Sequence, residues 1–268
     1  MNLEPVAPRE RPSLDDKDAS APKSLPKGGD LKDEIEKVLE RLAELQSVFY
    51  ADGRRSLLVV LQGRDASGKD GVLRTVVGAA NPGGVRVSSF KAPTPVELAH
   101  DYLWRIHQAA PEKGMFGIFN RSHYEDVLVV RVHNLVPKDV WSKRYEQIND
   151  FEKMLTENGT VILKFFLHVS REEQTKRLIE RVEDKTKNWK FNAGDLDERE
   201  LWDDYTAAYQ DAIGKCSTKW APWYVVPSDS NKARNYLIAN KIVETLEGLD
   251  LKYPKPKTDL DQYLKELK

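Results

Sequence analysis

Cysteine is almost missing from this chain: Cys216 is the only one in 268 residues. A lone thiol excludes an intramolecular disulfide, so no oxidising compartment is required, and Cys216 is expected as a small buried core residue. Long apolar runs are missing as well. None approaches the ~18 residues that span a bilayer, and Met1 to Gly29 lacks the hydrophobic centre of a signal peptide. A cytoplasmic protein without membrane contact is expected. Nor is there an excess of charge of either sign. The formal net charge is −1, which argues against a nucleic-acid-coating protein, because that role needs many uncompensated cations. Near-neutral totals still leave room for a local basic groove. Hydrophobic residues make up 40% of the chain, enough for a substantial core, and the length suits one large α/β domain or two small ones.

The first 29 residues are rich in Pro, Ser, Ala and charge, with Pro5, Pro8, Pro12, Pro22 and Pro26 among them. Such a stretch buries little by itself and reads as a disordered or extended N-terminal arm. From Asp30 the pattern becomes helical, with Leu31, Ile35, Val38, Leu39, Leu42 and Leu45 at three- and four-residue spacing. Ser56 to Gln62 (SLLVVLQ) is a nearly continuous apolar run, the pattern of a parallel strand buried on both faces. A glycine-rich turn, a helix to about Val77, the turn Asn81 to Gly84 and a strand over Val85 to Phe90 follow.

Helix over Pro95 to Ala109, strand over Met115 to Phe119, and helices over Ser122 to Val132 and Pro137 to Leu155 are predicted next. Val161 to Val169 reads as a strand, and Ser170 with Glu173 three residues on has the capping-box spacing of a helix start. The polar stretch Asp184 to Asp197 interrupts before another helix to about Ile213. A short strand over Tyr224 to Val226 and a helix over Asn231 to Leu246 close the pattern. Strands alternating with helices predict a single α/β domain with a parallel sheet over residues 30–268, and no internal repeat is visible.

The strongest local signal is Gly63-Arg64-Asp65-Ala66-Ser67-Gly68-Lys69-Asp70, between a strand and a helix. It has the G-x-x-x-x-G-K spacing of a Walker A loop, in which backbone N–H groups and a helix N-terminus cradle phosphate and the lysine reaches the terminal phosphates. Asp70 stands where Ser or Thr normally ligates magnesium, and Asp65 inside the loop is placed to hold that ion. A variant loop makes a variant phosphoryl donor plausible.

A second polar cluster, Phe119-Asn120-Arg121-Ser122-His123-Tyr124-Glu125-Asp126, follows the third strand at the sheet rim where open α/β proteins bind ligands. Arg121 can fork onto phosphate oxygens, with Arg131 and His133 close behind. Glu125 and Asp126 also suit a helix N-terminus, and His123 and His133 could be ordinary core or surface histidines. Residues 171–205 carry Arg171, Lys176, Arg177, Arg181, Lys185, Lys187 and Lys190. Arg177 and Arg181 lie one turn apart and share a helix face. Beside a phosphate loop, this segment reads as a basic lid rather than merely a solvated surface.

The motifs GRDASGKD, FNRSHYEDV and KNWKFNAGDLDERELWDDY, in that order, resemble the second polyphosphate kinase family over roughly Leu31 to Leu249. The resemblance implies a thymidylate-kinase-like three-layer P-loop fold with a helical lid, inorganic polyphosphate as donor, Mg2+, and an association of two or more subunits, a dimer or tetramer. It implies that Asp65 is metal-associated and that Lys69, Arg121, Arg177 and Arg181 contact phosphate. Many members read Asp-Arg-Ser-Trp-Tyr where this chain reads Asn120 to Tyr124, so Asn120 has no carboxylate to offer a metal. This variant looks like the subgroup that accepts both AMP and ADP. The alternatives are an ATP-dependent nucleotide kinase of the same fold and a slow nucleotide-binding switch. Against the switch, Asn231-Lys232-Ala233-Arg234 lacks the aspartate with which an N-K-x-D element reads guanine.

Overall fold

Strand β1 (Ser56–Gln62) is buried along its whole length, and its alternating side chains feed two separate cores. Leu57, Val59 and Leu61 join one core with Leu42 and Phe49 of helix α1 (Gly28–Asp52). Leu58 and Val60 join the other. The computed structural model describes residues 2–258 and 260–268; Met1 of the expected arm and Asp259 lie outside the described residues.

Four further strands complete one parallel sheet: β2 (Val85–Ser89), β3 (Phe116–Asn120), β4 (Thr160–His168) and β5 (Trp223–Pro227), in the order β2-β3-β1-β4-β5. Ten helices of the sheet-flanking layers and the lid follow α1: α2 (Lys69–Thr75), α3 (Pro95–Leu98), α4 (Trp104–Ala109), α5 (Val129–Val132), α6 (Lys138–Trp141), α7 (Arg144–Glu157), α8 (Arg171–Glu183), α9 (Gly194–Glu200), α10 (Trp202–Cys216) and α11 (Asn231–Glu247). A short helix α12 (Leu260–Leu267) ends the chain. Val72 of α2 and Leu237 of α11 share the core of α1, whereas Ile106 of α4, Ile148 of α7 and Ile213 of α10 fill the other. The result is a three-layer α/β/α arrangement. From β1 the chain runs to the edge strand β2, returns to β3 beside β1 and then crosses to β4 on the other side of β1, so the topological switch lies at the carboxyl end of β1, where α/β sheets bind ligands.

Several expected helices are broken. The Pro95 to Ala109 segment splits into α3 and α4 because the Asp101 carboxylate accepts the Leu103 N–H at 2.9 Å, a local turn that competes with the helix. The Ser122 to Val132 segment is a 3-10 turn, His123–Val127, followed by α5, with Leu128 outside helical geometry between them. The expected capping box at α8 is half formed. Ser170 Oγ accepts from the Glu173 N–H at 3.1 Å, but the Glu173 carboxylate turns to Arg177 and the Ser170 N–H donates to Asp229 instead.

Residues 2–27 run along the body, mostly extended. The Val6 N–H donates to Trp223 O at 2.8 Å, the Arg9 N–H to Gly214 O at 2.9 Å and the Asp229 N–H to Ala19 O at 3.1 Å. Leu3, Leu14, Ala19 and Leu25 are buried. No described helix is long and apolar enough to cross a membrane.

One lysine lies inside the sheet. Lys164 of β4 is fully buried and donates to Glu152 Oε2 at 2.5 Å, Tyr124 Oη at 2.8 Å and Cys216 O at 2.7 Å. Glu152 also contacts His123 at 3.2 Å and accepts from Tyr124 Oη at 2.9 Å. Burial works against ionising Glu152, but Lys164 and His123 outweigh it and hold the carboxyl below its ordinary range. His123 is therefore a partnered core histidine. Cys216 is buried beside this network, and burial pushes its thiol up to about 12, which leaves it an inert thiol at neutral pH.

Candidate active site

The phosphate loop begins where β1 ends. Gly63 has φ +156°, and a Cβ there would stand 2.8 Å from Leu167 O and 2.7 Å from Ser67 Oγ, so only glycine lets the chain turn beneath the sheet rim. Ala66 is left-handed at φ 60°, a strained geometry for a non-glycine residue that the surrounding contacts must hold. The side chain of Lys69, at the start of α2, curls back over the loop and donates to Gly63 O at 2.6 Å and Arg64 O at 3.1 Å. Burial, reinforced by the Arg121 guanidinium, pulls its ammonium down to about 8, against the pull of Asp65 and Glu125.

Arg121 sits one residue beyond β3, also left-handed at φ 62°. Its N–H donates to Leu61 O at 3.1 Å, and its guanidinium bonds Asp65 Oδ1 at 2.7 Å and lies 4.0 Å from Glu125. Burial opposes its charge, but Glu125 and Asp65 hold the guanidinium pKa above its ordinary value. Glu125 is shifted the other way: burial raises its carboxyl, with Arg121 and Lys69 only partly compensating.

These groups border a cavity of about 260 Å³ lined by Gly63, Asp65, Arg121 and Glu125 on the sheet side and by residues of α8, α9 and α10 on the other. The lid helices lie against the loop. Gln174 donates to Asp65 O at 3.0 Å, Arg177 to Ala66 O at 2.9 Å, and Lys190 to the Asp70 carboxylate at 2.7 Å. The charge of Asp70, unexpected at this position of such a loop, is thus neutralised by the lid. The bond to Lys190 holds the Asp70 carboxyl below its usual range.

Of the other residues that the sequence points to, Gly68 opens α2 and Ser67 Oγ is buried without a partner among the described residues. The Arg64 side chain is committed elsewhere. Its guanidinium donates to Trp202 O and Thr206 Oγ1 and stacks 3.9 Å over the Trp202 ring. Arg131 is not brought to the cavity lining; it bonds Asp211 at 2.7 Å and Tyr145 at 3.1 Å, tying α5 to α10 and α7. His133 reaches the lid through Glu198 at 2.8 Å. Arg177 and Arg181 share a helix face yet part company. Arg177 turns inward to Ala66 O, Ser228 O and Asp229 O, and Arg181 pairs with Asp195 at 3.0 Å. Asp195, Glu198, Trp202 and Tyr205, which lie within the lid motif but were not named as site residues, line the cavity together with Tyr209 beyond it. The signal for them was the acidic and aromatic run beyond Gly194, readable only with the lid folded.

The family profile described as Polyphosphate kinase 2 (PPK2) matches residues 27–254. The chain is 58% identical to an AMP/ADP-polyphosphate phosphotransferase of Meiothermus ruber over 218 residues, 81% of this chain and 82% of that protein. It is 46% identical to an ADP-polyphosphate phosphotransferase of Rhodopseudomonas palustris over 228 residues, 81% of this chain and 79% of the relative. Its fold superposes on the crystal structure of polyphosphate kinase 2 from Arthrobacter aurescens TC1 with a TM-score of 0.91, at 40% identity, covering 100% of this chain and 99% of that one. With the family profile matching residues 27–254 and relatives 58% and 46% identical over four fifths of the chain, the chain belongs to the polyphosphate kinase 2 family.

Proposed function

We propose that this protein transfers the terminal phosphoryl group of inorganic polyphosphate to AMP and to ADP, giving ADP and ATP. The observation that carries this reading is the glycine-rich loop, with Asp65 and Arg121 lining one lidded cavity and Lys69 folded over the loop carbonyls of Gly63 and Arg64, in a chain 58% identical to an AMP/ADP-polyphosphate phosphotransferase.

A phosphate oxygen of the acceptor nucleotide attacks the end phosphorus of polyphosphate. The new P–O bond forms as the bond to the bridging oxygen breaks, and that oxygen leaves as the new, anionic end of a chain one phosphate shorter. The acceptor oxygen is already anionic near neutral pH, so no strong general base is needed, and no covalent enzyme intermediate forms. Catalysis is positioning and charge stabilisation. Lys69 leaves Gly63 O and Arg64 O for the donor phosphates, and Arg121, anchored by Asp65, faces the phosphoryl group in transit. The backbone of residues 63–70 cradles the donor. Arg181 and the lid lysines supply positive charge along its distal phosphates.

Mg2+ belongs to the same reading, with Asp65 as its protein ligand. Among the described residues no group of three or more His, Cys, Asp or Glu forms a metal cage. Magnesium on a phosphate chain needs none, since it keeps waters and phosphate oxygens and takes one or two carboxylates. The donor set fits: Asp65 lines the cavity, and the Asp195 carboxyl across it stays raised by burial and the Asp65 charge even with Arg181 and Arg121 beside the pair. Bound there, the ion would neutralise charge building on the phosphate oxygens. A cytoplasmic location and a dimeric or tetrameric assembly complete the proposal; light scattering of the purified protein tests the assembly.

The functional test is incubation of AMP with polyphosphate and Mg2+ in the absence of ATP. ADP followed by ATP is the expected product sequence, abolished in a folded Lys69→Ala variant. No nucleotide product, or undiminished product from Lys69→Ala, contradicts the reading.

A further inference from the structure

The segment Asn231-Lys232-Ala233-Arg234, which lacks the aspartate of a base-reading element, has a place beneath the phosphate loop. Arg234 is 1% exposed, yet among the described residues no carboxylate pairs with it. Its guanidinium is held by neutral acceptors only: Nη1 donates to Asn231 Oδ1 at 2.7 Å and reaches Ser67 O at 3.4 Å, and Nη2 and Nε donate to Asn235 Oδ1 at 2.9 and 3.2 Å. The loop is shaped around it. A Cβ on Gly68 would stand 1.9 Å from Nη1 and one on Gly71 2.6 Å from Nη2, which accounts for a glycine at position 71 that phosphate cradling alone does not require. Burial and the neighbouring Arg177 pull the guanidinium down to about 10, so it remains charged at neutral pH. A buried cation without a counter-charge is costly unless something supplies one.

We propose that Arg234 is a positioning residue for the phosphoryl donor: it holds the back of the phosphate loop at Ser67, and the bound polyphosphate supplies the negative charge that the buried guanidinium lacks. The role assumes the phosphate donor of the preceding section. Arg234 acts through the loop and does not touch the reacting atoms. Arg177, on Ala66 O, has its own carboxylate partner in Glu173 at 2.9 Å, so the uncompensated charge is that of Arg234.

The test uses the full chain and inorganic tripolyphosphate as probe, with wild type, Arg234→Met and Arg234→Lys compared by calorimetry and urea unfolding. Arg234→Met is expected to unfold at a urea midpoint no lower than wild type without anion, while its tripolyphosphate Kd rises about tenfold or more. Its KM for polyphosphate should rise with the KM for AMP unchanged, and Arg234→Lys should recover most of the lost affinity. A folded Arg234→Met that binds tripolyphosphate as wild type does would overturn the role, as would a variant that loses stability but not anion affinity. Should neither variant fold, Gly71→Ala displaces the guanidinium and keeps its charge. A raised polyphosphate KM with an unchanged AMP KM supports the role, and an unchanged polyphosphate KM overturns it. Wild type that fails to bind tripolyphosphate would overturn the donor reading itself, and so separates that failure from one confined to position 234.

Discussion

The depressed pKa of Lys69 has consequences of opposite sign for stability and for donor binding. Moving the ammonium from its ordinary 10.5 to about 8 corresponds to about 3 kcal/mol of differential interaction. The folded value lies below the unfolded one, so the unfolded chain holds more protons between them. Stability from this site therefore rises with pH between about 8 and 10.5. Donor binding runs the other way, because polyphosphate needs the charged ammonium. At about pH 9 only about one molecule in eleven still carries that proton, so kcat/KM for polyphosphate should fall about tenfold between about pH 7 and 9. Bound phosphate restores the ordinary pKa, so kcat at saturating donor should stay level over that range. Initial rates of ADP formation from AMP at low and saturating polyphosphate measure both quantities, and the acceptor phosphate, with a second pKa of about 6, changes little in ionisation over that range. Lys69→Arg is the control, since a guanidinium does not titrate there. A level kcat/KM through about pH 9.5, or the same fall in an active Lys69→Arg, would refute the reasoning.

Three other outcomes are expected. Asp65→Asn should cut the transfer rate by about 10²-fold or more and flatten its magnesium dependence; an unchanged magnesium titration and rate would make Asp65 only an anchor for Arg121. Arg181→Ala should raise the KM for long polyphosphate more than that for AMP, an effect that shrinks with a donor too short to reach the lid; equal losses with both donors would place Arg181 at the phosphoryl group in transit. Lys164→Met should lower stability in urea unfolding by about 3–5 kcal/mol, because Glu152 would remain buried without its cation; a cost below about 1 kcal/mol would mean that the Glu152 network with Tyr124 and His123 suffices without it.

The strands and the phosphate loop were legible because their signals are local. SLLVVLQ declares a doubly buried strand, and Gly63 to Asp70 compresses a turn and a helix start into eight consecutive residues. Helix continuity was less legible. At Asp101 a side-chain hydrogen bond to the Leu103 N–H outweighs helical periodicity, and Leu128, outside helical geometry, breaks the segment after Arg121. Side-chain direction was the least legible, since it depends on what the fold brings near. Arg177 and Arg181 share a face by spacing, but one meets a loop carbonyl and the other an aspartate. Arg131 stands close to Arg121 in sequence, but Asp211 of α10 claims it. The lysine within the apolar run of β4 was a readable sign of a buried partner, although only the packing of α7 shows that the partner is Glu152.

Whether the phosphoryl donor is polyphosphate or ATP is decided by comparing the two donors side by side. Purified protein is given AMP, Mg2+ and either polyphosphate or ATP, and kcat/KM for each donor is measured from ADP formation, with shortening of the polyphosphate chain followed in parallel. A kcat/KM for polyphosphate far above that for ATP is expected, with one phosphate lost from the polymer for each phosphoryl group gained by nucleotide. A kcat/KM for ATP that exceeds that for polyphosphate would contradict the polyphosphate reading.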